Sequence, residues 1–219
     1  MKLKKRAIPM LAGVLTAVML TSTASAHPED YWGGKYIGHE DAKFTLRISR
    51  SAQTDFLNSD IYWSARDWNG ISSNVRVNVS FVINGRTTID DGINVYGDDL
   101  GNRYLGYTTP YDSKGNPLDT SIDGLISDWA YAEIIMNTNS NAFSGVADSK
   151  LAAQKTFVHE VGHVLKLTHP FISRGLGGHT IDGKPVAIMN QGLPGDFGGA
   201  VSSTITGHDK SCLKAKWGA

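Results

Sequence analysis

The sequence predicts one α/β domain, and three observations point there. Residues 44–48 and 75–81 alternate apolar and polar side chains with a period of two, the pattern of half-buried strands. Residues 131–138, YAEIIMNT, form a further strand pattern. A long helix pattern follows, started by Asp148 and running from Ser149 to about Leu165. Strands leading into a long helix build an α/β layer, and the glycine-rich stretch beyond it predicts an irregular C-terminal portion.

The chain opens with Lys2, Lys4, Lys5 and Arg6, then an apolar run over 7–20 and a small-residue stretch ending in Ala24, Ser25 and Ala26. That order is the layout of a secretory signal peptide, so residues 1–26 are expected to be removed and the protein to be secreted. The alternative, a membrane anchor, needs about twenty apolar residues, and this run is shorter. The mature chain 27–219 has 193 residues, enough for one domain with a real core. It carries 17 basic against 21 acidic residues, without the basic stripe a nucleic-acid surface requires. No second segment can cross a membrane, and the mature protein is expected to be a monomer. Cys212 is the only cysteine, which excludes an internal disulfide, and it reads as a small hydrophobe on the last helix.

The elements follow in order. In the first strand Phe44, Leu46 and Ile48 alternate with Thr45 and Arg47. Thr54 and Asp55 start a helix expected over 56–68, with Phe56, Ile61, Ala65 and Trp68 on one side and Gly70 closing it. Val75, Val77, Val79 and Phe81 make the second strand. Residues 84–124, rich in Gly, Asp, Asn and Pro, read as long loops with short strands, one around 103–107. A final short helix spans about 209–217 and stops at Gly218.

Three of the seven histidines fall within the eleven residues 159–169, HEVGHVLKLTH. His159 and His163 are four apart, so on a helix they lie about 40° apart and can share one ion. Phe157, Val161, Val164 and Leu165 cluster on the opposite side, the side a core would cover. Glu160 is turned too far round to bind that ion, yet it can reach a water there, the placement of a general base. Three protein ligands and one water make the catalytic arrangement of zinc. A continuous helix would carry His169 roughly 240° away, so the helix must stop near Leu165 and the chain must turn sharply. Pro170 suits a chain that has left the helix. His169 is the best third ligand by spacing; His179, Asp182, Asp196 and His208 are alternatives.

This segment resembles the metzincin signature HExxHxxGxxH, and Ala187, Ile188, Met189 and Asn190 resemble the Met-turn of that clan of zinc endopeptidases. The order of TLRIS, a helix, VRVNVSFV, YLGYTTP, AEIIMNT and the histidine helix is similar to the matrixin-like branch, as is the closing ITGHDKSCLKAKWG. The resemblance implies a mixed five-stranded sheet over an active-site helix, with an upper subdomain to about 165 and a small irregular one over about 166–219. It implies zinc on His159, His163 and His169, Glu160 as the base that helps water hydrolyse a peptide bond, and Met189 as an apolar floor beneath the ion. It also implies a protein or peptide substrate lying along an edge strand; Tyr131, Ala132, Glu133 and Ile134 are the candidates.

The chain departs from the pattern in places. Lys166 stands where the family has its turn glycine, and a lysine in a left-handed conformation costs on the order of 1 kcal/mol. Either Lys166 adopts that conformation or the turn is made differently. No histidine lies between His39 and His159, so the second zinc of animal matrixins is not expected, and no cysteine-bearing inhibitory segment is seen. Gln191 replaces the tyrosine that astacins and serralysins place after the Met-turn. Asp90, Asp91, Asp98 and Asp99 offer hard oxygen ligands for a structural calcium; the alternative is a solvated loop of turn-forming residues. An exported zinc-binding or interaction module without turnover is the competing function, though pure metal binding has no need of Glu160.

Overall fold

Strand β1 (Ala42–Ile48) pairs in parallel with β2 (Val75–Phe81) on one side and β3 (Gly92–Asp98) on the other. Strand β5 (Tyr131–Asn137) runs parallel to β3, and β4 (Gly106–Tyr111) closes that side antiparallel to β5. The result is a mixed five-stranded sheet of order β2-β1-β3-β5-β4. The computed structural model describes residues 31–82, 92–102, 104–119, 127–143, 148–169, 180–181, 184–185, 187–189 and 204–219. The expected leader 1–26, Asp90, Asp91, His179, Asp182, Asp196 and the loop 190–203 lie outside these residues.

Burial follows strand position. The edge strand β2 alternates buried valines with exposed Arg76, Asn78 and Ser80, whereas six of the seven residues of β5 are buried. Strand β5 therefore corrects one expectation. Tyr131, Ala132, Glu133 and Ile134 lie on an interior strand, all four paired with β4 and Glu133 and Ile134 also with β3, so β5 is not the edge of the sheet. A near-continuous apolar run marks a strand covered on both faces, which favours the middle of a sheet over its edge.

The edge on that side is β4, three residues later than the strand expected around 103–107, and Pro110 within it suits an edge. Strand β3 was expected as loop, because Gly92, Asn94, Gly97 and Asp98 are turn formers. Its place is decided by packing: a Cβ at Gly97 would meet the Ser51 carbonyl oxygen at 2.3 Å, a close approach only glycine permits.

The expected helix over 56–68 is a short α-helix, α1 (Ser59–Trp63), continued by a 3₁₀ turn over Ser64–Trp68. It starts late because the Asn58 side chain caps the amides of Asp60 and Ile61 at 3.1 and 3.4 Å, while Thr54 Oγ1 accepts from the Leu57 amide in a preceding turn. Helix α2 (Ser149–Val164) is capped by Asp148, whose carboxylate accepts from Leu151 N at 2.9 Å. Helix α3 (Gly207–Trp217) begins two residues before the expected start, since Thr206 and Asp209 form a reciprocal capping box.

Strands β6 (Thr180–Ile181) and β7 (Lys184–Pro185) form a small separate pair. One core joins the sheet to all three helices; it includes Val79, Ile134, Trp68, Phe157, Leu213 and Trp217. Cys212 is buried on α3. No helix among the described residues is long and apolar enough to cross a membrane.

Candidate metal centre

Helix α2 is the spine of the site. Phe157, Val161 and Val164 are fully buried, and the Trp68 indole donates to the Val158 carbonyl at 3.0 Å, fixing the helix against α1 and its 3₁₀ extension. The opposite side presents His159 and His163, whose ring centroids lie 4.7 Å apart and nearly perpendicular. Gly162 lies between them because nothing larger fits: a Cβ there would meet Met189 Sδ at 2.2 Å and Trp68 Cζ2 at 3.0 Å. Met189, 2 % exposed, is thus packed directly against the histidine helix.

The helix then ends in a tight Schellman turn. Leu167 N donates to Gly162 O at 2.9 Å and Lys166 N to His163 O at 2.8 Å. Lys166 has φ of 64°, the one non-glycine residue with positive φ among the described residues. The lysine does adopt the left-handed conformation, and its side chain is held by specific contacts. Its amine donates to Gly33 O and Ser127 O, both at 3.1 Å, and lies 4.3 Å from the centre of the Trp129 ring. The remaining terminal carbonyls of α2 are met by distant side chains: Tyr36 OH donates to Val164 O at 2.9 Å and Trp217 Nε1 to Leu165 O at 2.8 Å.

That turn delivers His169. Its Nε2 lies 3.1 Å from Nε2 of His159 and 3.2 Å from Nε2 of His163. His159 Nδ1 faces the Ile188 carbonyl at 2.9 Å, and His163 Nδ1 faces the Leu167 carbonyl at 2.8 Å. Carbonyls only accept, so both Nδ1 atoms carry a proton, and in the neutral ring Nε2 is then the nitrogen left for a metal. Burial lowers the pKa of His159. It lowers that of His163 well below the ordinary range, helped by the neighbouring His159 and His169. Both shifts favour the neutral ring, the form that binds metal.

Three imidazole nitrogens converging at this distance can share one cation. Three nitrogens 2.0–2.1 Å from a tetrahedral ion would be spaced roughly 3.3–3.4 Å apart, close to what is found. His159, His163 and His169 can hold a metal ion compatible with Zn2+; they are the one such group of three among the described residues.

No family model matches the chain, and neither does any curated protein.

Glu160 is 5 % exposed, and its Oε2 accepts from Thr108 Oγ1 on β4 at 2.7 Å. Burial raises its pKa to about 7, with the Thr108 hydrogen bond pulling the other way, so it can both take and return a proton near neutrality. Beneath the histidines, one buried carboxylate ties Met189 to α3. Asp209 accepts from the amides of Ile188 and Met189 at 2.8 and 3.3 Å, from the Thr206 amide at 2.8 Å and from the Thr206 hydroxyl at 2.7 Å. Above them, Trp32 lies with its ring centroid 5.2 Å from His163 and donates its amide to Lys166 O at 2.7 Å.

The structure brings together His159, Glu160, His163, His169 and Met189. His208 lies on α3 against Cys212, outside this group. Asp98 and Asp99 spend carboxylate oxygens on turn hydrogen bonds, Asp98 to Asp99 N and Asp99 to Gly101 N and Asn139 Nδ2. Thr108, Asp209, Trp32 and the partners of Lys166 escaped the sequence reading. Only Asp209 had a local signal, the Thr206-x-x-Asp209 capping pattern. The others act across long stretches of chain, 52 residues from Thr108 to Glu160 and 39 from Ser127 to Lys166, and have no signature in their neighbours.

Proposed function

We propose that the chain is a zinc-dependent endopeptidase of metzincin type, exported by its N-terminal segment. What carries this reading is the pairing of three imidazoles with converging Nε2 atoms and an adjacent buried carboxylate outside that cluster. A site for metal storage or structure has no use for Glu160, whereas hydrolysis needs a group that moves protons.

Zinc on His159, His163 and His169 would supply Lewis acidity, acidifying water and polarising a carbonyl. Glu160 takes the proton of the attacking water and hands it to the departing amine nitrogen, with no covalent enzyme intermediate. Met189 and Asp209 hold the underside of the histidine cluster, and Leu167 and Ile188 keep two imidazoles in the correct tautomer. Substrate peptide adds to the outer edge of β4 over residues 106–109; Leu118 N and the Tyr111–Pro117 bridge cover the rest of that edge. This puts the scissile bond beside Glu160, because Thr108 on that edge touches it.

The test is a casein or gelatin digest with and without a chelator, run beside Glu160→Ala. Cleavage should require metal and fall by at least about 100-fold in the variant, the usual worth of a general base, while zinc content stays the same. Zinc binding without turnover by the wild type would instead favour an inactive module on this fold.

A further inference from the structure

A carboxylate that serves as a base must present one defined oxygen to its proton. The last torsion of glutamate is broad and roughly two-fold, so the side chain alone does not choose that oxygen. Helix geometry sets where Glu160 begins but not how its carboxylate is rotated. Something outside α2 has to do that.

Thr108 is placed to do so. It sits on β4 opposite Ile134, and its hydroxyl reaches across to the helix. Oγ1 lies 2.7 Å from Glu160 Oε2 and 3.1 Å from the Glu160 carbonyl oxygen. The hydroxyl has one proton for two acceptors. The carboxylate oxygen is the nearer of the two acceptors, so the hydroxyl proton is donated to it. No other side chain among the described residues hydrogen-bonds this carboxylate.

We propose that Thr108 is a positioning residue: by occupying Oε2 it turns Oε1 of Glu160 toward the histidine cluster as the oxygen that takes the proton. Because Thr108 belongs to the same edge proposed to receive substrate, it couples the substrate strand to the base. Peptide pairing with β4 then holds the hydroxyl, and through it the carboxylate, in register with the bond to be cut. This inference rests on the peptidase reading above.

The experiment compares wild type, Thr108→Val and Thr108→Ser. Valine matches the shape of threonine and lacks the donor; serine keeps the donor and loses the methyl group. On a fluorogenic peptide, kcat should fall roughly ten- to a hundredfold in Thr108→Val, with KM within about twofold, zinc per chain unchanged and most of kcat restored in Thr108→Ser. A second readout needs no turnover. The carboxylate stretch of Glu160, isolated as the infrared difference between wild type and Glu160→Gln, should shift in Thr108→Val and return in Thr108→Ser. An unshifted band refutes the contact. A kcat within twofold of wild type in Thr108→Val refutes the role, as does loss of zinc or an equal loss of kcat in Thr108→Ser. If the wild type cleaves nothing yet the band shifts, the peptidase reading fails and takes the role with it, leaving only the contact.

Discussion

His159 and His163 hang from the sixteen residues of α2, whose own hydrogen-bond ladder sets their spacing, whereas His169 hangs from a turn held by parts of the chain far away. The first pair needs little beyond a helix and a glycine at 162. The third ligand needs Lys166 at φ of 64°, carbonyls from Gly33 and Ser127, and the Tyr31–Leu167 bridge. One centre thus has a locally determined half and a half determined by tertiary contacts. The two should respond differently to the same insult.

The sharpest separation comes from removing one ligand from each half. His163→Ala and His169→Ala should each weaken zinc binding by more than the roughly 10–100-fold that an outer partner of a ligand is worth. His169→Ala should leave the far-ultraviolet helix signal intact, since no element depends on that ring. Competition with a fluorescent chelator measures the first, circular dichroism the second. Tight binding by His169→Ala would mean that the ion has another third ligand.

Gly162→Ala strikes the local half. Alanine gains about 1 kcal/mol of helix propensity, but its methyl group collides with Met189, and overpacking of that kind costs about 1–3 kcal/mol. A lower melting temperature is expected, and a higher one would show that Met189 moves aside freely.

Lys166 tests the tertiary half. At pH 9, Lys166→Met keeps the left-handed strain and loses two hydrogen bonds, for a loss of about 1–2 kcal/mol in urea unfolding of the metal-free protein. Lys166→Gly also loses them but relieves roughly 1 kcal/mol of strain, so it should fall between the two. If Lys166→Gly proved more stable than wild type, the amine would contribute nothing net.

The mildest test is pH. Burial, then the nearby Lys216, lowers the Lys166 pKa from 10.5 to about 7, with Asp128 opposing. Between those values the unfolded chain binds more protons than the folded one, so this group makes stability rise with pH. The advantage of wild type over Lys166→Met should therefore shrink as pH falls from about 10 toward 7. A difference that is flat with pH would mean that the carbonyls and the Trp129 ring fully compensate the ammonium.

The same division governs what could be read in advance. The i, i+4 histidines, the flanking Glu160, the Asp148 cap and the strands β1, β2 and β5 follow from periods and caps spanning a few residues, and the sequence carries those directly. Sequence also showed that the helix must break before His169, because a continuous one would point that ring the wrong way. It did not show how a lysine could make the break, since the carbonyls that hold Lys166 lie 133 and 39 residues away. Nor did it place β3, whose turn-forming residues are overridden by packing between β1 and β5, or make β4 the edge in place of β5. Sequence alone determined which groups could do chemistry, because helix geometry is local. Tertiary structure decided which oxygen of Glu160 is held and how His169 meets the other two rings, because those depend on approaches between segments that no local pattern encodes.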